Sequence, residues 1–291
     1  LAQVKPPKDT TYFLMLAAQQ CGHEVFHIDP TSLALEHDRA FARGCAVSVS
    51  DSHDEPFTVG PVAPLALETM DVVWMRKDPP FDRGYFYATL ILDYLPSCVQ
   101  VVNRPATIRD WNEKLAALRY PALTPPTLVS RDPAQIVTFL SDQGRITVKP
   151  VDGHGGKGII FLDDDGEDVE AQLHMATHQG RHWVVAQKYL PAAQQGDKRI
   201  LLLDGEPLGA ILRVHAKGAE LNNLDQGGTA RPSTLDARDR QICDALADDL
   251  SCHGVRFAGI DIIGGMLIEV NITSPTGLQE MSRFDGQDYH H

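Results

Sequence analysis

The hydrophobic positions along the chain change their spacing about one third of the way in. Residues 10–20 and 85–95 are apolar with a helical period. Residues 23–28, 72–75 and 99–102 are short apolar runs of the kind found in strands. Because helices and strands alternate, this third of the chain predicts a small α/β domain with a parallel sheet.

The middle of the chain predicts an antiparallel hairpin. An apolar strand over 146–150 leads into a glycine-rich turn at 152–158, and a return strand covers 159–162. A further strand is predicted over 183–186. The glycines permit the positive φ angles and the close backbone approach that a phosphate-binding flap needs, but a plain flexible hairpin tip has the same composition.

The last third is predicted to contain two more hairpins with an amphipathic helix, residues 235–252, between them. The hairpins turn at Asp204-Gly205 and at Gly264-Gly265, and dipeptides of this kind are strong hairpin signals. Their strands are predicted over 199–203, 208–214, 258–263 and 267–273.

Composition narrows the classes of function. The chain has 291 residues, 43% of them hydrophobic, which suits about two soluble domains. A net charge of −13 argues against nucleic acid as a partner, because neutralising phosphates needs surplus Lys and Arg. No apolar run reaches the roughly 20 residues of a membrane span. The five scattered cysteines favour reduced thiols and a cytoplasmic protein.

The final hairpin carries the candidate metal ligands. Side chains alternate faces along a strand, so Glu269 and Asn271 share a face. An odd-length turn that includes Met266 would pair Asp261 with Glu269, whereas an even turn would place isoleucines opposite carboxylates and break the apolar face. The hydrophobic pattern therefore predicts that Asp261, Glu269 and Asn271 lie together.

Two carboxylates placed opposite one another repel unless a cation lies between them. Two carboxylates and an amide offer the oxygen ligands that Mg²⁺ prefers, and Mg²⁺ also binds substrate phosphates. A solvated acidic edge of the hairpin would have the same pattern, and the hairpin alone does not separate the two interpretations.

Upstream residues favour the metal interpretation. Lys149 lies in the strand before the glycine-rich turn. Residues 187–190 interrupt an apolar strand, and their backbone groups could contact the edge of an adenine. Residues 196–199 place one carboxylate and two cations at the start of the next strand. Each feature is common by itself. Together with an oxygen-rich hairpin, and in this order, they indicate a nucleotide site.

The sequence resembles the ATP-grasp superfamily and, within it, the prokaryotic-type glutathione synthetases. The similarity covers nearly the whole chain, and the R-K-D-P-P stretch and the N-x-T-S-P-T ending are specific to these synthetases. The motifs that carry it are residues 75–82, 103–105, 112–115, 149–153, 186–191, 196–199, 259–264 and 269–276.

The resemblance implies a fold of class α/β plus α+β, namely an ATP-grasp fold with an N-terminal Rossmann-like (pre-ATP-grasp) α/β domain. The expected division is an N-terminal substrate domain (1–112), a small ATP-grasp lobe with the glycine-rich lid (113–190) and a C-terminal lobe with the metal hairpin (191–291).

The resemblance also implies roles for individual residues. Arg199 and Arg213 would act at the reacting groups, and Asp261, Glu269 and Asn271 would hold two Mg²⁺, for which Mn²⁺ could substitute. The expected ATP-binding residues are Lys114, Lys149, Gly153, Gly155, Gly156, Gly158, Gln187, Lys188, Tyr189, Leu190 and Asp197. The expected substrate-binding residues are Arg76, Asn223, Gly227, Ser274 and Thr276.

The reaction that the resemblance implies is the ATP-dependent condensation of γ-glutamylcysteine with glycine through an acyl phosphate. It gives glutathione, ADP and phosphate, and the family resemblance implies a homo-oligomer, either a dimer or a tetramer. The alternatives are another ATP-grasp carboxylate–amine ligase and a non-catalytic ATP-binding relative.

Overall fold

A computed structural model gives the fold and describes residues 1, 4–52, 54–215 and 228–290. The expected substrate-binding residues Asn223 and Gly227 lie outside these ranges. No helix within the described ranges is long and apolar enough to cross a membrane.

The first part of the chain is built around one long strand, β3, with which four shorter strands pair in antiparallel fashion. Only β6 and β7 are parallel among the described strands, with Val73 opposite Val101. The elements are α1 (Thr10–Gln20), β1 (Phe26–Ile28), β2 (Ala34–Glu36), β3 (Arg39–Val49), β4 (Phe57–Val59), β5 (Ala63–Ala66), β6 (Val72–Trp74), α2 (Arg83–Leu92), β7 (Gln100–Val102) and α3 (Pro105–Asp110).

The predicted parallel sheet is thus reduced to one strand pair, and the antiparallel sheet was missed. β3 does alternate between exposed and buried positions, but its buried side chains include Ala40 and Ala42 and its exposed ones include Arg39 and Arg43. Alanine has no preference for strands, so the alternation gave little signal.

The second part is a four-stranded antiparallel sheet in the order β10-β9-β11-β8. The predicted hairpin is confirmed, with Phe161 opposite Thr147, and two helices cover one face of the sheet through Ile136, Leu140 and Leu173. The elements are α4 (Glu113–Ala117), β8 (Thr127–Ser130), α5 (Pro133–Gln143), β9 (Arg145–Pro150), β10 (Ile160–Asp163), α6 (Val169–Ala176) and β11 (Val184–Lys188).

The third part is a five-stranded antiparallel sheet in the order β14-β13-β12-β15-β16. Both predicted hairpins and the amphipathic helix are confirmed, and α7 begins with a capping box formed by Asp236 and Asp239. The elements are β12 (Asp197–Leu203), β13 (Glu206–Val214), β14 (Thr229–Ser233), α7 (Ala237–Cys252), β15 (Phe257–Ile263), β16 (Met266–Asn271) and α8 (Leu278–Asp285).

The turn of the final hairpin corrects the argument from the sequence. Met266 pairs with Ile263, so the turn contains only Gly264 and Gly265, both with positive φ. The prediction of an odd turn was wrong. A bulge after Asp261 restores the register, and Asp261 does lie opposite Glu269. An even turn suits the twist of the strands, and the extra residue on β16 keeps the carboxylates together.

Asn103 joins the N-terminal part of the chain to the third sheet. Its Oδ1 accepts hydrogen bonds from the backbone N–H groups of Arg256 (2.8 Å) and Phe257 (3.0 Å). Its Nδ2 donates to the carbonyl oxygens of Phe257 and Ile272, both at 2.7 Å. The side chain is buried and satisfies four backbone groups. It therefore fixes where β15 begins and β16 ends.

We predict that Asn103→Ala lowers the free energy of unfolding by about 3 kcal/mol, because it leaves several buried backbone groups without partners. Urea denaturation measures the loss. Arg256→Ala is the matched control, since it removes only an exposed 3.1 Å contact with Asp204 and should cost less than about 1 kcal/mol. Equal losses for the two variants would contradict this role for Asn103.

Candidate active site

A cleft of about 700 Å³ opens between the four-stranded and five-stranded sheets, beneath the glycine-rich turn. A smaller hollow of about 110 Å³ lies beside it and shares Lys149, Arg213, Asp261 and Glu269 with its wall. The predicted residues that line the cleft are Lys114, Lys149, Gly153, Gly155, Gly156, Arg199, Arg213, Asp261, Glu269, Asn271, Ser274 and Thr276. Those that line the hollow also include Gln187, Lys188, Tyr189, Leu190 and Asp197.

Asp261 is the centre of a buried charge network. Arg199 binds it through two nitrogens, with Nη2 at 2.9 Å from Oδ2. Arg213 Nη2 lies 2.9 Å from the same oxygen, and Arg213 also binds Asp197 through two bonds of 2.7 and 2.8 Å. The network arises because β12 lies between β13 and β15, with Arg199 opposite Asp261 and Asp197 opposite Arg213.

The network keeps Asp261 ionised. Burial by itself would raise the pKa of Asp261, but the charges and hydrogen bonds of Arg199 and Arg213 outweigh it, so the pKa lies well below its usual range. For Asp197 burial is the larger influence, and its pKa is raised although Arg213 is bound to it. Asp261 therefore contacts both arginines, whereas Asp197 contacts Arg213.

Asp261, Glu269 and Asn271 come together as predicted. Asp261 pairs with Glu269 across the hairpin, and the Asn271 Nδ2 donates to Gly259 O at 3.2 Å and to Asp261 Oδ2 at 3.4 Å. Within the described ranges, His, Cys, Asp and Glu side chains form no metal-binding cluster of three or more. The set of two carboxylates and one amide nevertheless offers only oxygen ligands, and it fits a hard divalent cation.

Lys114 and Lys149 supply positive charge opposite the metal hairpin. The Lys114 Nζ donates to the Gly153 carbonyl oxygen at 2.6 Å and lies 3.9 Å from Glu269 Oε1. The Lys149 Nζ donates to Gln187 Oε1 at 3.2 Å. Burial lowers the pKa of Lys149. Both ammonium groups are held by neutral or anionic oxygen atoms that an incoming phosphate could replace.

The glycine-rich turn adopts a backbone that requires glycine. Gly155, Gly156 and Gly158 have φ values of 63°, 77° and 74°. Two of them line the cleft, whereas Gly158 does not, and a Cβ on Gly158 would lie 3.0 Å from Pro150 Cγ. Side chains at these positions would be strained, so this backbone conformation depends on glycine.

The hollow has an aromatic wall. Tyr189 and Phe161 meet edge to face with ring centroids 5.8 Å apart, and the Arg145 guanidinium lies 4.2 Å from the centre of the Tyr189 ring. Gln187 is held by Thr127 Oγ1, which accepts from its Nε2 at 3.0 Å. A flat heterocycle fits between such a wall and the backbone of residues 187–190. Phe161 was missed because nothing in the sequence distinguishes it from a packing residue.

Only some of the residues expected to bind substrate line the cleft. Ser274 and Thr276 line it, and the Ser274 hydroxyl donates to Asp78 Oδ1 at 2.7 Å. Arg76 is not among the residues that line the cleft. Its Nε donates to Thr11 Oγ1 at 3.2 Å, and its Nη2 donates to Pro275 O at 3.1 Å. Burial lowers the pKa of Arg76 to about 10. Arg76 thus supports the loop that carries Ser274 and Thr276.

Several cleft residues were not identified from the sequence. Their local sequence patterns are ordinary, for example two lysines in the turn before α1 or an acidic residue after a helix N-cap. Only the tertiary fold brings them to the cleft. These residues are Lys5, Lys8, Asp78, Glu113, Thr273 and Glu280.

Family models and relatives agree with this geometry. Residues 1–109 match the N-terminal domain of prokaryotic glutathione synthetase, and residues 113–286 match its ATP-grasp domain. The glutathione synthetase of Parasynechococcus marenigrum (strain WH8102) is 43% identical over 284 residues, covering 97% of this chain and 91% of the relative. That of Synechocystis sp. (strain ATCC 27184 / PCC 6803 / Kazusa) is 40% identical, covering 98% and 92%.

Solved structures show the same fold at low sequence identity. An ATP-grasp RimK domain protein from Sphaerobacter thermophilus DSM 20745 has a TM-score of 0.63 at 18% identity, covering 96% of this chain and 91% of that one. The ATP-grasp ligase PsnB, complexed with a minimal precursor, has a TM-score of 0.61 at 18% identity, covering 94% and 89%. The ATP-grasp fold predicted from the sequence is confirmed.

We predict unequal effects on stability for the two carboxylates of the hairpin. Asp261→Asn should lower the free energy of unfolding by about 3–5 kcal/mol, because it leaves two buried guanidinium groups poorly compensated. Glu269→Gln should stay within about 1 kcal/mol of wild type, because Glu269 has only a 3.9 Å contact with Lys114. Denaturant titration without added metal measures both, and equal losses would contradict the network described here.

Proposed function

This chain belongs to the prokaryotic glutathione synthetase family, and we propose that it condenses γ-glutamylcysteine with glycine at the expense of ATP, giving glutathione, ADP and phosphate. The observation that carries the proposal is the pair of buried arginines on Asp261, which line the same cleft as Lys114 and Lys149. Such a set of cations suits a reaction in which a phosphoryl group passes to a carboxylate.

The reaction needs an activated acid because a free carboxylate has no good leaving group. In our proposal the γ-phosphoryl group of ATP passes to the cysteinyl carboxylate, and the amine of glycine then displaces phosphate. Lys114 and Lys149 neutralise the phosphate oxygens, and Arg213 lies on the path of the transferred group. Arg199 stabilises the oxyanion of the tetrahedral intermediate, a role to which one donor contributes about 2.7–4 kcal/mol in comparable sites.

The adenine and ribose belong in the hollow. The backbone of residues 187–190 would bind the edge of the base, Phe161 and Tyr189 would form its wall, and Asp197 would meet the ribose. The N–H groups of residues 153–158 would cover the phosphates and exclude water from the acyl phosphate. Ser274 and Thr276 would contact the peptide, and Arg76 would support their loop.

A divalent cation completes the proposed site. Asp261, Glu269 and Asn271 would hold Mg²⁺, with two ions expected and Mn²⁺ able to replace them. When bound, the metal supplies Lewis-acid neutralisation of the phosphate charge. Asp261 would then serve both the cation and the arginines, for which its two oxygens offer enough lone pairs.

The division into domains, the oligomeric state and the cellular compartment are also part of the proposal. We assign three functional units, residues 1–112, 113–190 and 191–291; among the described strands the first unit has two sheets and the others have one each. We expect a cytoplasmic homo-oligomer, either a dimer or a tetramer. The scattered positions of the five cysteines in the sequence support a reducing compartment.

The test is ADP release with each substrate omitted in turn. We expect full turnover only with ATP, Mg²⁺, γ-glutamylcysteine and glycine together, and a glutathione product identified by mass spectrometry. Replacing γ-glutamylcysteine by other acids, or glycine by amino acids and peptides, distinguishes other ATP-grasp ligases. Sustained turnover with a different acid–amine pair, or ATP binding with no turnover on any pair, would overturn the proposal.

A further inference from the structure

Asn112 lies where α4 meets the glycine-rich turn, and its side chain contacts both. Its Oδ1 accepts hydrogen bonds from the backbone N–H groups of Lys114 (3.0 Å) and Leu115 (3.2 Å), so it caps the N-terminus of α4. Its Nδ2 donates to the carbonyl oxygen of Val151 at 3.0 Å. One half-buried side chain therefore connects the helix that carries Lys114 with the residue directly before the turn.

Capping alone does not explain why this residue is an asparagine. A carboxylate accepts the same N–H bonds and also suits the positive end of the helix dipole. Among the described α-helices, every other one with a side-chain hydrogen bond at its N-cap has an aspartate there; these residues are Asp9, Asp82, Asp132 and Asp236. An ionised aspartate cannot donate a hydrogen bond, whereas the amide of Asn112 donates to the backbone that leads into the turn.

The backbone that leads into the turn is fixed at successive residues. The Val151 N–H donates to the Trp183 carbonyl oxygen at 3.3 Å, and its own carbonyl oxygen accepts from Asn112. Two residues further on, the Gly153 carbonyl oxygen accepts from Lys114 Nζ at 2.6 Å. Two side chains from α4 thus hold the start of the turn through two different carbonyl groups.

These two side chains differ in their response to a nucleotide. Lys114 is a cation that lines the cleft, and an anionic phosphate is a stronger acceptor for its ammonium group than the neutral Gly153 carbonyl oxygen. Asn112 is neutral, lies outside the walls of the cleft and the hollow, and has both ends of its amide in hydrogen bonds. A phosphate therefore competes for the Lys114 contact but not for the Asn112 contact.

We propose that Asn112 is a positioning residue that keeps the glycine-rich turn over the nucleotide phosphates when Lys114 exchanges Gly153 for a phosphate oxygen. The inference rests on the proposed function. A turn held in this way keeps water from the acyl phosphate until the amine attacks. Attack by water would instead return γ-glutamylcysteine and phosphate, so ATP would be consumed without forming glutathione.

Two substitutions separate the contact with the turn from the helix cap. Asn112→Asp and Asn112→Ser both keep an oxygen that can cap α4, but the aspartate has no donor and the serine is too short to reach Val151. Only the aspartate adds a charge. The matched control is Asp132→Ser, because Asp132 caps α5 of the same lobe through Ala134 N at 3.0 Å.

The first measurement is the amount of ADP released for each glutathione formed. We expect a ratio of about one for the wild type and for Asp132→Ser, and of about two or more for both Asn112 variants, because water hydrolyses part of the acyl phosphate. The urea midpoints of both Asn112 variants should stay near that of the wild type, since the helix cap is kept.

The second measurement is trypsin cleavage after Lys157, an exposed residue of the turn. With the non-hydrolysable analogue AMPPNP and Mg²⁺ present, both Asn112 variants should be cut about tenfold faster than the wild type, which is the change that one hydrogen bond of average strength supports. Without nucleotide, Lys114 still holds Gly153, so the difference should stay below about threefold.

The proposal is overturned if both Asn112 variants keep the wild-type product ratio, or if cleavage rises equally at sites outside the turn. It is also overturned if the variants exceed the wild-type cleavage rate by the same factor with and without nucleotide. An effect confined to Asn112→Asp would belong to the added charge and would contradict it as well. Failure of the wild-type protein to form glutathione would instead contradict the proposed function, and the cleavage comparison needs only nucleotide binding.

Discussion

The ion pairs between Asp261 and the two arginines are the constraint on which the site depends. Arg199 and Arg213 are both buried, and an uncompensated guanidinium would be very unfavourable there. Asp261 removes that penalty and at the same time prevents both side chains from rotating away. The cations that the chemistry needs are consequently in place before any substrate binds, so no reorganisation is required at the moment of reaction.

The sheet order makes this arrangement possible. β12 carries Arg199 and lies between β13, which carries Arg213, and β15, which carries Asp261. Three adjacent strands thus bring the charges to one place, and the bulge between β15 and β16 adds Glu269 to the same place. Asn103 holds the ends of β15 and β16 against the N-terminal part. The order of the strands therefore determines the positions of Arg199, Arg213, Asp261 and Glu269.

The sequence predicted those features that depend on neighbouring residues. Alternating isoleucines placed Asp261 opposite Glu269, although the turn parity used in the argument was wrong, because a bulge has no signature in hydrophobic spacing. The charge network could not be predicted, since Asp197 and Asp261 are far apart in sequence and meet only through strand order. Glu113 was missed for the same reason: it lines the cleft in contact with Thr273, which follows β16 near the other end of the chain.

The most direct test of the account follows oxygen-18 from the acid substrate. The two arginines are held where a phosphoryl group would pass to a carboxylate, so one carboxylate oxygen should leave with phosphate. With γ-glutamylcysteine labelled at both oxygens of the cysteinyl carboxylate, the account predicts one oxygen-18 atom in each phosphate released. Phosphate free of the label, formed together with the peptide product, would contradict it.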